Sequence, residues 1–200
     1  MALLISIWIK FFFLFAPFFV VSMFLSLTRG CSPAERRATA NRAVLAALLT
    51  TLTLLFFGQP IFTLLGITLD SFRVGAGILL FLSAISLVKD GVRSHADLPE
   101  QARDDISVVP LAIPTIIGPA TIGTILVFGA ELKEWDLAWG LGGILLALLS
   151  LLTLLHAAAR IERLLGNNGL NVLSKITGLV LAAMACEIVV AGLRGFASTF

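Results

Sequence analysis

Val108-Val109-Pro110-Leu111-Ala112-Ile113-Pro114-Thr115-Ile116-Ile117-Gly118-Pro119-Ala120-Thr121-Ile122-Gly123-Thr124-Ile125-Leu126-Val127-Phe128-Gly129-Ala130 runs up to Glu131 without one charged side chain. A hydrocarbon core about 30 Å thick takes roughly 20 apolar residues of helix, so this stretch predicts a membrane span. Its prolines forbid a straight one. Each removes a backbone donor and clashes with the preceding turn. Gly118-Pro119 falls near mid-span, so the segment reads as two half-helices meeting inside the membrane. Unpaired backbone groups are expensive in lipid, and such a break has to face protein or a watery cavity.

Working outward, five more apolar segments qualify: about 5–27, 38–58, 72–89, 137–158 and 175–194, with 108–130 the fourth in order. The 200-residue chain is 58% hydrophobic and only 13% charged, where a soluble domain carries about a quarter charged residues. Its solvent must be lipid. A net charge of +2 without a basic run excludes nucleic acid as a partner. The first apolar run, Ala2 to Leu27, is too long for a signal peptide and contains Lys10, so it reads as a retained helix 1. Between helices 1 and 2, Ser32, Pro33 and Glu35 have the spacing of an N-cap, first helical residue and capping-box acid. The apolar stretch Pro60 to Leu69 is expected at the interface. The fold class is therefore all-α, a polytopic membrane protein of six helices, with helices 1 and 4 broken at proline.

Orientation follows from Lys and Arg. Loops 28–42, 89–107 and 159–175, together with their flanks, hold ten of these residues against four elsewhere. Positive-inside places those loops in the cytoplasm and both termini outside, with Trp8, Trp135 and Trp139 near the outer interface. The expected location is a membrane with these basic loops on its cytoplasmic face.

The halves echo each other at a shift of about 101 residues: Pro17 and Pro119, Leu64-Leu65-Gly66 and Leu164-Leu165-Gly166, Gly77 and Gly178, Ala84 and Ala185, Gly91 and Gly192. Repeat 1 would span 1–99 and repeat 2 100–200. Three helices per repeat make the second enter from the opposite side, an inverted-topology pair of the kind recurrent in secondary transporters.

Candidate chemistry gathers at the two breaks, Ala16-Pro17 and Gly118-Pro119. A half-helix N-terminus presents free N–H groups and a positive dipole end to an anion such as a carboxylate. Ala16, Pro17, Thr115, Gly118, Pro119, Ala120 and Thr121 are the candidate substrate-binding residues; a simple kink at Pro17 is the plainer alternative. Glu187 and Lys10 are ionisable residues at membrane depth, costly unless used or paired. Glu187 would bind a coupling proton or a substrate amine, or else pair with Lys10, which can also snorkel outward. His156 reads as interfacial and structural, and Gly75, Gly77, Gly178 and Ala182 as packing residues. Cys31 and Cys186 have neither pairing nor metal-ligand spacing. With no hydrolase motif, Walker loop or zinc spacing, and with Glu187 the one acid at depth and no nucleophile paired with a base there, no enzyme activity, metal or cofactor is expected.

Several stretches resemble the MarC family of bacterial six-helix membrane proteins. Val109 to Ile122 resembles the family segment P-L-A-x-P-x-x-x-G-P-G-[AS]-I. Phe72-Arg73-Val74-Gly75-Ala76-Gly77-Ile78-Leu79-Leu80-Phe81 resembles F-R-[IV]-x-G-G-I-L-L-F, and Phe24-Leu25-Ser26-Leu27-Thr28 resembles F-L-S-L-T. The resemblance implies a secondary transporter of small neutral amino acids such as alanine, glycine or threonine, with a proton or sodium as the possible coupling ion. The alternatives are a non-transporting membrane scaffold or a carrier of another small metabolite. This chain departs from the family pattern at Ala16, where Asn or Asp is usual, and at Phe19 and Ser22, where Gly and Pro follow. It departs also at Ala120 for Gly, at Glu187 for Gln, and at Ala191, where an acid is frequent. Loss of the Asn or Asp removes a polar group from the implied site.

Overall fold

The computed structural model describes residues 2–89, 107–131 and 136–197. Most of the expected loop 89–107, with His95, lies outside them, as do Lys133 and Trp135. Among the described residues every regular element is a helix: α1 (Ala2–Leu14), α2 (Pro17–Leu27), α3 (Pro33–Leu65), α4 (Leu69–Lys89), a π-helix (Ser107–Ile116), α5 (Pro119–Glu131), α6 (Leu137–His156) and α7 (Ala158–Ala197). Four helices are long and apolar enough to cross a membrane: Pro33–Phe57, Leu69–Lys89, Leu137–His156 and Asn168–Ala197. The pair α1 and α2, bent by 43°, passes the same test of length and composition when taken together, as a broken span or a re-entrant loop. The π-helix and α5 stand where the fourth segment was expected.

Local chemistry explains the ends. The Ser32 amide donates to Glu35 Oε2 at 2.7 Å and the Glu35 amide to Ser32 Oγ at 3.3 Å, the reciprocal capping box expected ahead of α3. Arg36 Nε donates to the Thr28 carbonyl at 3.2 Å and ties the turn down. At the far end α3 runs on past the expected stop near residue 58, through Pro60 to Leu65. An interior proline forfeits one backbone bond without always ending a helix. Gly66, at φ +64°, takes the left-handed conformation that stops it. Thr68 then caps α4, its Oγ1 accepting from the Ser71 amide at 3.2 Å. In α7 the matching Gly166, also at φ +64°, interrupts the helix.

In lipid, helices associate through close packing and small residues rather than through exclusion of water. α4 and α7 pack antiparallel along their length. A Cβ on Gly77 would lie 2.6 Å from Val189 Cγ2 and 3.0 Å from the Ala185 carbonyl oxygen, and one on Gly178 2.8 Å from Val88 Cγ2 and 3.0 Å from the Ala84 carbonyl oxygen. α5 rests through Gly123 on Ala76 of α4 and through Gly129 on Leu55 of α3, while α6 rests through Gly143 on Ile7 of α1. Trp8 Nε1 donates to Ser150 Oγ at 3.0 Å, a further tie between α1 and α6. Leu45, Leu49, Phe56, Leu82, Leu149 and Leu179 stay exposed on the perimeter, where acyl chains would cover them.

Candidate functional site

The first break is two residues, Phe15 and Ala16. Pro17 has no amide to give the Phe13 carbonyl, its helical partner, and the Ala16 amide donates there instead at 2.9 Å. Ala16 takes φ 45°, ψ 58°, the left-handed region. Among the described residues it is the non-glycine residue with positive φ. That conformation costs an L-residue such as alanine roughly 1–2 kcal/mol. α2 starts immediately afterwards, with Pro17 in its first turn.

The second break is built differently. Pro110 and Pro114 lie within the π-helix. Missing amides and ring clashes at prolines disturb the ordinary ladder, and the Ile117 amide reaches five residues back to the Ala112 carbonyl at 2.9 Å. Ile117 and Gly118 follow, Pro119 opens α5, and the Gly118 carbonyl accepts from the Ile122 amide at 2.9 Å.

Between the breaks lies a cavity of about 400 Å³, lined among others by Ala16, Thr115, Gly118, Pro119, Ala120 and Thr121. Six of the seven residues singled out from the sequence for substrate binding thus border one space. Pro17 is buried beside it without lining it. α2 and α5 both begin at this cavity, with Ala16 and Phe19 lining it from one start and Pro119, Ala120 and Thr121 from the other, so two positive helix dipole ends lie beside it. Thr121 is buried and Thr115 half-buried. α4 adds the hydroxyls of Ser83 and Ser86, and Leu14, Phe19, Leu80 and Leu181 add apolar walls. The two serines were missed in the sequence, although an i, i+3 pair of hydroxyls in an otherwise apolar helix was visible there.

A second cavity, of about 210 Å³, lies further along α1, α5 and α7 and is bordered by Lys10, Arg73, Thr124, Glu131 and Glu187. Arg73 is fully engaged: Nε and Nη2 donate to Glu131 Oε1 at 2.9 and 2.6 Å, and Nη1 donates to Asp70. Lys10 and Glu187 are exposed, and among the described residues no ion pair joins them or ties either to another group. Thr124 Oγ1 donates to the Ala120 carbonyl at 2.9 Å. At the opposite end His156 Nε2 lies 2.9 Å from Asn41 Oδ1, a tie between α6 and α3. The described residues hold no group of three or more His, Cys, Asp or Glu side chains that would bind a metal ion.

A profile of the MarC family integral membrane proteins matches residues 1–197. The chain belongs to the MarC family. Among its relatives a UPF0056 membrane protein of Methanocaldococcus jannaschii is 35% identical over 90% of each chain. The UPF0056 membrane protein YvbG of Bacillus subtilis is 33% identical over 96% of this chain and 94% of its own. The UPF0056 inner membrane protein YhgN of Escherichia coli is 31% identical over 86% of each. No solved structure matches this MarC-family chain.

Proposed function

We propose that this MarC-family protein is a secondary transporter of small neutral amino acids that works by alternating access. The observation carrying this reading is the cavity of about 400 Å³ at which the N-termini of two half-helices meet. A carboxylate placed there gains two helix dipole ends and their first-turn amides at once. Thr115, Thr121, Ser83 and Ser86 would bond the remaining polar atoms. The apolar walls suit a small side chain. No covalent chemistry is involved, and a proton or sodium gradient would drive the cycle.

In this reading the chain crosses the membrane six times, as inverted repeats 1–99 and 100–200. Packing supports the division: Gly77 faces Ala185 while Gly178 faces Ala84, so each contact becomes the other when the halves are exchanged. Rocking of one repeat against the other would open the cavity to each side in turn. Both termini lie outside and the basic loops in the cytoplasm, as Lys and Arg are distributed. An inner-membrane location agrees with the description of the Escherichia coli relative. A scaffold that used its prolines for packing alone would have no need of one space, with four hydroxyl residues in its lining, shared by both breaks.

The test is counterflow of labelled alanine, glycine and threonine in proteoliposomes, with and without proton or sodium gradients. Movement of at least one is expected. Folded protein that moves none of them would end the amino-acid reading.

A further inference from the structure

Among the described residues, the cavity bordered by Lys10 and Glu187 holds an ammonium and a carboxylate that no ion pair satisfies. Arg73 is balanced by Asp70 and Glu131. Lys10 and Glu187 come from α1 and α7, border the same space of about 210 Å³, and have no ion-pair partner among the described residues. Charges beside apolar walls such as Val127, Phe128 and Met184 are costly unless something compensates them. A lone anion would match Lys10 and leave Glu187 bare; a lone cation would do the reverse. One small molecule carrying an ammonium and an acidic group matches both. The space is smaller than the roughly 300–1,000 Å³ of drug-sized pockets, which suits a solute of few atoms.

Its place in the fold gives it a role. Leu14, Thr121 and Leu181 border the central cavity, while Lys10, Thr124 and Met184 border this one. Each of these pairs is three or four residues apart on one helix, a rise of about 4.5–6 Å. The two cavities are therefore stacked one helical turn apart on the same three helices. We propose that Lys10 and Glu187 form a capture subsite for a zwitterion, the Lys10 ammonium holding its acidic group and the Glu187 carboxylate its amine, one turn before the helix breaks. The identity of the zwitterion as an amino acid rests on the transporter reading above. A phosphatidylethanolamine headgroup carries the same pair of charges and is the other source of that chemistry.

Equilibrium binding of labelled alanine to the full chain in phosphatidylglycerol nanodiscs separates these cases. Lys10→Met and Glu187→Gln should each weaken one class of alanine binding at least tenfold, and Gly118→Leu should leave that class intact. The double reversal Lys10→Glu with Glu187→Lys should recover it, which a folding defect would not. Alanine binding unchanged in both single variants would overturn the capture subsite while leaving the central site standing. A wild-type chain that binds no alanine would overturn both. If both variants lose co-purifying phosphatidylethanolamine and keep all their alanine, the subsite is a lipid site and the proposal fails.

Discussion

The two broken helices reach the same result by different means. In helix 1 one alanine, Ala16, absorbs the whole turn by going left-handed between two α-helices. In the second half the turn is spread over a ten-residue π-helix carrying Pro110 and Pro114, with Gly118 at its end. Gly118 is not among the described residues with positive φ, so the Cβ penalty of the left-handed region falls on Ala16 and not on the second break. The contrast bears on position 16, where the family resemblance implies Asn or Asp. Those residues visit the left-handed region more readily than other non-glycine residues. An Asn or Asp there would ease the left-handed turn as well as supply a polar group, and Ala16 makes the break without either.

The sharpest way to break the comparison is Gly118→Leu. A leucine at the cavity wall should cut alanine counterflow by roughly 5- to 150-fold, the scale that about 1–3 kcal/mol of overpacking implies. Transport at the wild-type rate by folded protein would remove the second break from the site. Next come Gly77→Ile and Gly178→Ile. Each forces a side chain against a carbonyl of the facing helix, and each should cost about 1–3 kcal/mol in detergent unfolding. Equal costs sharpen the likeness of the halves; a large difference breaks it. Ala16→Gly, by contrast, should stabilise by about 1 kcal/mol as the left-handed strain is relieved, with Ala16→Asn gaining less. No gain in melting temperature from either would contradict the strained alanine. The smallest effect is expected for Ser83→Ala or Ser86→Ala alone: KM for alanine up a few-fold, for one hydroxyl bond worth about 0.5–1.5 kcal/mol, with the melting temperature unchanged.

What the sequence made legible was mostly backbone chemistry. Pro17 and Pro119 both open half-helices, and Ser32 with Glu35 closes the capping box, because these effects act within a turn of the residue that causes them. Gly66 and Gly166, matched in the repeat, share φ +64°. The rest depends on which faces meet across the bundle. Arg73 finds Glu131, 58 residues away, and no spacing rule joins them. Ser83 and Ser86 enter the site only because α4 packs against α5. Lys10 and Glu187, expected either to pair or to serve in coupling, border one cavity without an ion pair between them. The π-helix was not foreseen either: prolines predict a disturbed ladder, not the register that replaces it.

The central claim is that the paired breaks build a water-reachable substrate site, and Thr121→Cys tests it most directly. In a Cys31→Ser, Cys186→Ser background, a membrane-impermeant maleimide should label this cysteine from at least one side, and alanine should slow the reaction. A cysteine at position 121 that is inert from both sides, or labelled at a rate no amino acid changes, would contradict the claim.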